Sequence, residues 1–448
     1  MNIDQFIQAL LDEAKGAGIE AAEIYLSSGD SFRAMCFEGQ INNYTVNTTR
    51  GLSLRGLYQG KMGYAATEAL DEEAIGQLVQ AVKESAELTE DEDVQEIYRG
   101  DDSYPQVDTY QPALDEVPEE KKLNLVLTLE KEAKALDERI TGLSYDMIST
   151  SSAETRIVNT YGLNLQHRDN YAYAYVGAIA KEGERVATGW GFKGSRQFDE
   201  MDAKAIAKEA VDEALFMLKA APVPSGTYRA IIDRKCMPDL LGVFSAVFSA
   251  ESAQKGLSLL AGKEGEIIAS DVVTIMDDPL LPDGLNSYSF DAEGVAAKTK
   301  AVIEKGKLNT LLHNLKTARK AGVKTTGNAA KAGYAGAVNV SPSNFFIVPG
   351  EKTLDELMAD MGDGLVITQV SGLHAGANAI SGDFSLIAQG YTVKDGKKDA
   401  PVEQITVAGN FYQMLKNIRA VGSDLCFPGS PVGSPSVDVG EISVAGKP

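Results

Sequence analysis

The side chains equipped for proton transfer, nucleophilic attack or metal binding in this sequence are three histidines, three cysteines and one run of carboxylates. His374 has the most chemical setting. It lies in "VSGLHAGANAISGDFS", a polar, glycine-rich turn in which His374, Asn378, Ser381 and Asp383 are expected to converge on an approaching backbone or ligand. In a hydrolase of that design His374 is the base and Ser381, or a cysteine, the nucleophile. His167 falls on an expected strand beside Arg168 and Asp169, and His313 sits in "LLHNLKTARK". Both are read as structural.

The carboxylates Asp277, Asp278, Asp283, Asp291 and Glu293 occupy "DDPLLPDGLNSYSFDAEG". Their spacing does not follow the calcium-loop order D-x-D/N-x-D/N-G, whereas Asp-Asp-Pro commonly ends a strand and enters a turn, so the turn is expected. Cys36, Cys236 and Cys426 are far apart and never form a CxxC pair, which excludes a disulfide framework and a zinc knuckle. They are read as reduced, partly buried thiols. No GxSxG elbow is present, no GxxxxGKS/T loop, and no GxGxxG leading from a strand into a helix, so neither a serine elbow nor ATP or NAD chemistry is supported.

Acidic residues number 64 against 42 basic ones, a formal charge of −22 that repels phosphate backbones at long range. Direct binding to nucleic acid is not expected. The densest basic run, residues 307–324, reads as a mixed helix or loop surface. The start of the chain carries Ile3, Phe6, Leu10 and Ala14 at helical spacing with Asp4, Asp12 and Glu13 interleaved, which is not the pattern of a signal peptide. No stretch approaches the ~18 uninterrupted apolar residues of a membrane span, and a cytoplasmic protein is expected.

These residues must be positioned by a chain of 448 residues, which allows up to three ordinary domains or, equally well, two large ones. A helix at the start is followed by alternating runs with glycine turns, a meander that begins a sheet, and then by the helix "LDEEAIGQLVQAVKESAEL". An acidic stretch with three prolines, residues 89–122, is expected to loop across the surface. A helix over about 118–138 leads into alternating Tyr, Val and Ile positions, which suggest four antiparallel strands, and a helix from about Asp199 to Lys219 closes this half. "AAPVPSG" marks the boundary, giving an α+β domain of antiparallel sheet and helices at 1–220 and a strand-rich domain at 221–448, expected to be a twisted or barrel-like antiparallel sheet. Near its start, "DLLGVFSAVFSAESAQKGLS" (239–258) reads as one helix. Pro238 stands in its first turn, Gly256 lies past its end, and Leu240, Leu241, Val243, Phe244, Val247 and Phe248 form its buried stripe.

Several segments carry a resemblance. "AEIYLSSGDSFRAMCFEGQINNYTVNTTRGLSLRGLYQGKMGYAAT" carries it in the first half. "GLSLLAGKEGEIIASDVVTIMDDP", "FDAEGVAAKTKAVIEKGKL", "TTGNAAKAGYAGAVNVSPSNFFIVPG", "GLHAGANAISGDFSLIAQGYTVKDGK" and "VAGNFYQMLKNIRAVGSDL" carry it in the second. In this order they resemble the PmbA/TldD family, peptidase-related proteins also labelled modulators of DNA gyrase. The resemblance implies two kinds of subunit, of which the TldD kind binds a catalytic zinc with His-Glu-x-x-x-His and a late cysteine. The matching window here begins Leu241-Gly242 and ends at Ala246, so all three side chains of the motif are missing. Cys426 falls near the late cysteine, but the segment lacks the intervening insert, and the ligand role is not carried over. A zinc hydrolase needs about three protein ligands and an acid/base group, which Leu, Gly and Ala do not supply.

The chain is therefore similar to the PmbA (TldE) kind. That implies no catalytic residue and no metal or other cofactor in this chain, and zinc in a TldD-type partner. It also implies a heterodimer with that partner, or a homodimer, acting on unfolded peptide, with no nucleic acid and no membrane as partners. Two other readings remain: an independent hydrolase built on His374, and a non-enzymatic homodimeric scaffold. The gyrase label is opposed by the charge and by the lack of an aromatic-basic stripe.

Overall fold

The computed structural model describes residues 2–90 and 95–447, so residues 91–94 of the expected acidic loop lie outside the described residues. The first half is built on one antiparallel sheet. Helix α1 (Ile3–Gly16) starts at a capping box formed by Asn2 and Gln5 and buries Phe6, Ile7, Leu10 and Ala14. The meander β1 (Ala21–Phe37), β2 (Gln40–Tyr58) and β3 (Lys61–Thr67) follows, then α2 (Glu72–Leu88), whose Asp71 cap accepts from the Ala74 amide at 2.9 Å. A short helix α3 (Pro112–Asp115) precedes α4 (Glu119–Leu136). Strands β4 (Ile140–Asn159), β5 (Asn164–Glu182) and β6 (Arg185–Ser195) and helix α5 (Ala203–Met217) complete this half.

Three strands stand where four were expected. Glycines with positive φ make the turns at Gly162 and Gly183, and nothing between them interrupts β5 over its 19 residues. The strand order is β3-β2-β1-β4-β5-β6. Helices lie on one face, where Ala22, Ile24 and Leu26 of β1 meet α1 and α2, and Ile148, Ala174 and Val176 meet α4 and α5. Each large apolar side chain buried there stabilises by roughly 1.5–3 kcal/mol.

The second half is a strand-rich unit around a closed barrel. Strand β7 (Gly226–Ile232) pairs in parallel with Gly364–Ser371 and antiparallel with Val437–Ala445. Asp383–Lys394 and Lys397–Asn410 continue the sheet, and Lys397–Asn410 returns to Val437–Ala445 and closes it. A second, five-stranded sheet includes Ile275–Asp277 and Phe345–Ile347. Among the described residues no helix is long and apolar enough to cross a membrane.

The helix expected over 239–258 is broken. Helix α6 (Met237–Phe244) passes into a 3-10 turn at Ser245–Phe248, and a separate short helix covers Ala250–Gln254. Ser249 is extended and bridges Leu312, with the Ala250 amide donating to the Leu312 carbonyl at 2.9 Å and the Leu312 amide to the Phe248 carbonyl at 2.8 Å. A tertiary partner 63 residues away from Ser249 thus outcompetes local helical bonding. Pro238 does stand in the first turn, and Gly256 has a φ of +72° past the end of the third piece.

The two halves are joined through a buried guanidinium. Arg55 of β2, on the sheet face away from the helices, donates from Nε to Glu23 at 2.8 Å and from Nη1 to Glu293 of the second half at 3.1 Å. Glu293 also accepts from the Leu315 amide at 2.9 Å. Because all three charges are buried, removing one leaves the others unbalanced in low dielectric. Glu293→Ala is expected to lower the unfolding free energy by about 3–5 kcal/mol, read from the midpoint shift of a urea titration at constant slope.

Candidate functional site

Within "NYAYAYVGAIA" on β5, residues 171–175 alternate strictly between tyrosine and alanine. Ala172, Ala174, Val176, Ala178 and Ala180 are wholly buried under the helices, so Tyr171, Tyr173 and Tyr175 stand half-buried on the other face. On β6, "TGWGFKG" repeats the division. A Cβ on Gly191 would lie 1.9 Å from the Ile206 carbonyl oxygen of α5, and one on Gly189 2.3 Å from that of Ala210. Glycine is therefore needed for the helix backbone to lie on the strand, and Trp190 and Phe192 turn outward.

The outward rings form a platform. Tyr145 and Tyr175 stack at 4.8 Å between centroids, Trp190 lies 6.1 Å from Tyr175, and Phe192 6.3 Å from Tyr173. Trp190 covers Gly177 of the neighbouring strand and is 38% exposed. The open edge of β6 is closed by α5: Glu213 accepts from the Trp190 amide at 2.7 Å and Glu209 from the Phe192 amide at 3.4 Å. Edge pairing by another strand is blocked there.

Across from this platform stand the turn between β7 and α6, the end of strand Gly364–Ser371 and the loop 426–429. Three adjoining hollows of ≈ 550, 630 and 530 Å³ run between the halves. The first two share Glu209, Glu213, Arg234, Lys235 and Thr368, and the last two share Tyr171, Trp190, Phe192 and Pro428. Together they make one cleft with an aromatic floor and walls of both charges. Lys235 is ion-paired with Glu209, and burial raises the Glu213 carboxyl above its ordinary value.

The N-terminal turn of α6 borders this cleft through Asp239, and Cys426 stands beside it. Leu241 is buried in the barrel core, Gly242 has no side chain, and Ala246 is exposed hydrocarbon. Burial raises the half-buried Cys426 thiol above its ordinary value despite Arg234 and Lys235 nearby, so it stays protonated at neutral pH. These residues do not fit a catalytic zinc ion.

None of the four residues of the glycine-rich turn lines these three hollows. Asn378 accepts from the Ile380 and Ser381 amides at 2.9 and 3.1 Å, the Asp383 amide donates to Ser381 Oγ at 3.3 Å, and Asn410 donates to Asp383 at 2.9 Å. The bond from Asn410, then that from Ser381, lowers the Asp383 carboxyl. The turn thus brings Asn378, Ser381 and Asp383 together as its own framework, while His374 lies exposed on the short helix Leu373–Gly376 outside those bonds. Asp277, one of the clustered carboxylates, is equally occupied: it accepts from Ser343, Lys300 and Asn328. His313 Nδ1 lies 3.2 Å from Thr317 Oγ1 in the core.

The aromatic floor is the feature that reading for nucleophiles and ligands passes over. Its signal was Tyr-Ala-Tyr-Ala-Tyr beside Gly-Trp-Gly-Phe, in which the small residues, not the rings, mark the buried face.

The chain is similar to known proteins along most of its length. The descriptions "PmbA/TldA metallopeptidase domain 1", "central domain" and "C-terminal domain" match residues 22–86, 112–218 and 225–446. A protein of Methanothermobacter thermautotrophicus named "Metalloprotease" is 30% identical over 421 residues, covering 91% of this chain and 88% of its own. "Metalloprotease PmbA" of Escherichia coli O157:H7 is 26% identical and covers 99% and 96%. A crystal structure from Thermotoga maritima, described as a candidate modulator of a DNA gyrase, superposes with a TM-score of 0.93 at 32% identity, over 99% of this chain and 100% of that one.

Two consequences follow for stability. Gly191→Ala is expected to cost about 1–3 kcal/mol, seen as a lowered thermal midpoint, because the α5 backbone must move off the strand. Burial, then Arg196, pushes His167 from its ordinary 6.5 to about 4. The fold favours the neutral ring, so this contribution is present above pH 6.5 and is lost as pH falls toward 4. His167→Gln is expected to flatten the stability profile over that window in acid titrations.

Proposed function

The chain belongs to the PmbA/TldA metallopeptidase family, and from that premise we propose that it is a subunit of the PmbA or TldE kind without a hydrolytic centre of its own. It holds unfolded peptide in the aromatic cleft and completes a zinc protease when paired with a TldD-type chain. The observation that carries this reading is a built cleft bordered by α6, which together with the 3-10 turn after it offers no metal donor at Leu241, Gly242 or Ala246.

The cleft's chemistry supports an extended, unfolded ligand. Aromatic rings provide large rigid area at little conformational cost and accept side chains of many shapes. Flanking groups of both signs, Glu213 and Arg234 among them, pair with peptide polar groups without selecting one net charge. A folded domain presents no single strand to such a channel. We place this activity in the cytoplasm, where the zinc-bearing partner supplies the bond cleavage.

The lone chain is expected to bind a fluorescently labelled unfolded peptide without cleaving it, and cleavage is expected on addition of a TldD-type partner. Trp190→Ala is expected to raise the Kd measured by anisotropy about tenfold, ≈ 1.4 kcal/mol. Chelator-sensitive cleavage by the lone chain, or an unchanged Kd in the variant, sinks the reading.

A further inference from the structure

Beneath α4, away from the cleft, the end of the central sheet holds three side chains of unusual composition for an apolar core. Cys36 of β1, Glu130 of α4 and Asp146 of β4 are 7%, 4% and 1% exposed. The thiol sulfur and one oxygen of each carboxylate lie within 4.8 Å of one another. Among the described residues this is the grouping of three whose donor atoms have the spacing to hold a metal ion. Around it pack Leu129, Ala133, Ile140 and Ile148.

The hydrogen bonds orient the three groups but do not satisfy them. Cys36 Sγ donates to Glu130 Oε2 at 2.8 Å, and the same oxygen accepts from the Gly39 amide at 2.8 Å. Lys134 bonds the other oxygen of Glu130 from the surface. The β1–β2 register shifts between Met35 and Cys36, and the Cys36 amide donates to Asp146 Oδ1 at 3.0 Å. Asp146 Oδ2 has no partner at all, although the residue is almost fully enclosed. A buried carboxylate oxygen left unpaired is costly, and the one ammonium nearby is already taken by Glu130.

We propose that Cys36, Glu130 and Asp146 bind a divalent metal ion of the zinc class. The ion takes the thiolate sulfur, one Glu130 oxygen and the orphaned Asp146 oxygen, and the thiol proton leaves to solvent. Two carboxylates and a thiolate then face a divalent ion and the Lys134 ammonium, and the buried charge cancels. A thiolate among the ligands selects zinc over magnesium or calcium, which prefer oxygen throughout. The role is structural: the ion ties α4 to the sheet edge where β1 bulges.

Cobalt(II) reports on this directly, since a thiolate ligand gives a sulfur-to-metal absorption band. The full chain, stripped with chelator and titrated with Co²⁺, is expected to develop that band to one equivalent, and Zn²⁺ is expected to displace it. Zn²⁺ is also expected to raise the thermal midpoint. Cys36→Ser is expected to abolish the band, Asp146→Asn to weaken Co²⁺ binding at least tenfold, and Cys426→Ser to leave both unchanged. No band in folded wild-type chain, a band that survives Cys36→Ser, or unchanged affinity in Asp146→Asn overturns the proposal. Should Cys36→Ser fail to fold, the nearly isosteric Asp146→Asn decides. Peptide cleavage is not part of the readout, so the result stands apart from that of the peptide assays.

Discussion

The cleft depends on how the outer face of the first sheet is fastened to the second half, and that fastening is ionic. Arg55 projects from β2 between Glu23 on the adjacent strand and Glu293 from a loop of the barrel half. Such a buried set adds little net stability over an apolar replacement, yet it permits only one alignment of the donors, since any slip strands a charge. Further along the same face the Arg196 guanidinium meets neutral partners instead, donating to the carbonyls of Thr109 and Gly284 at 2.9 and 3.0 Å. Between them Tyr25, Lys331 and Phe290 line a hollow of ≈ 220 Å³ in the seam. Past Arg196 the seam opens, and the rings of β5 and β6 line the gap.

An aromatic face turned outward needs its own explanation, since rings are the side chains that gain most from burial. Here the inward positions are reserved by close helix approach. Alanine on β5 and glycine on β6 let α5 rest almost on the strand backbone, and this leaves the outward positions to carry bulk. Trp190 and Tyr171 are laid over Gly177 and Gly194 of neighbouring strands, which shields the weak points of a glycine-rich sheet. The same device leaves a broad apolar floor partly in contact with water. A surface of that kind gains stability when an extended ligand covers it.

Much of the fold could be read in advance because local pattern and final environment coincide. The starting helix, the meander and the barrel-forming strands have periods that match the face they bury. Where a distant residue decides, the pattern misleads. The run 239–258 has helical spacing throughout, but Leu312 captures the backbone at Ser249 and Ala250 and splits it. Asn378, Ser381 and Asp383 looked chemical for the same reason that they build a good turn: short polar side chains bond nearby amides. Cys36 and its two carboxylates are 94 and 110 residues apart in the chain, and no spacing rule joins them before the sheet does.

The fold does not restrict side-chain size equally at Leu241 and Gly242 of α6 and at Ala246 of the 3-10 turn that follows it. A Cβ at Gly242 would meet only Val432 Cγ2 at 3.8 Å, an ordinary contact, and Ala246 faces open space. The scaffold therefore has room for larger side chains at both. Leu241 differs, being wholly enclosed with Phe244, Phe384 and Phe411 in the barrel core. An imidazole there would enter an apolar core and stay neutral at a cost in desolvation. Leucine at this one position thus commits the helix to packing, and the two small residues beside it follow without being demanded by the core.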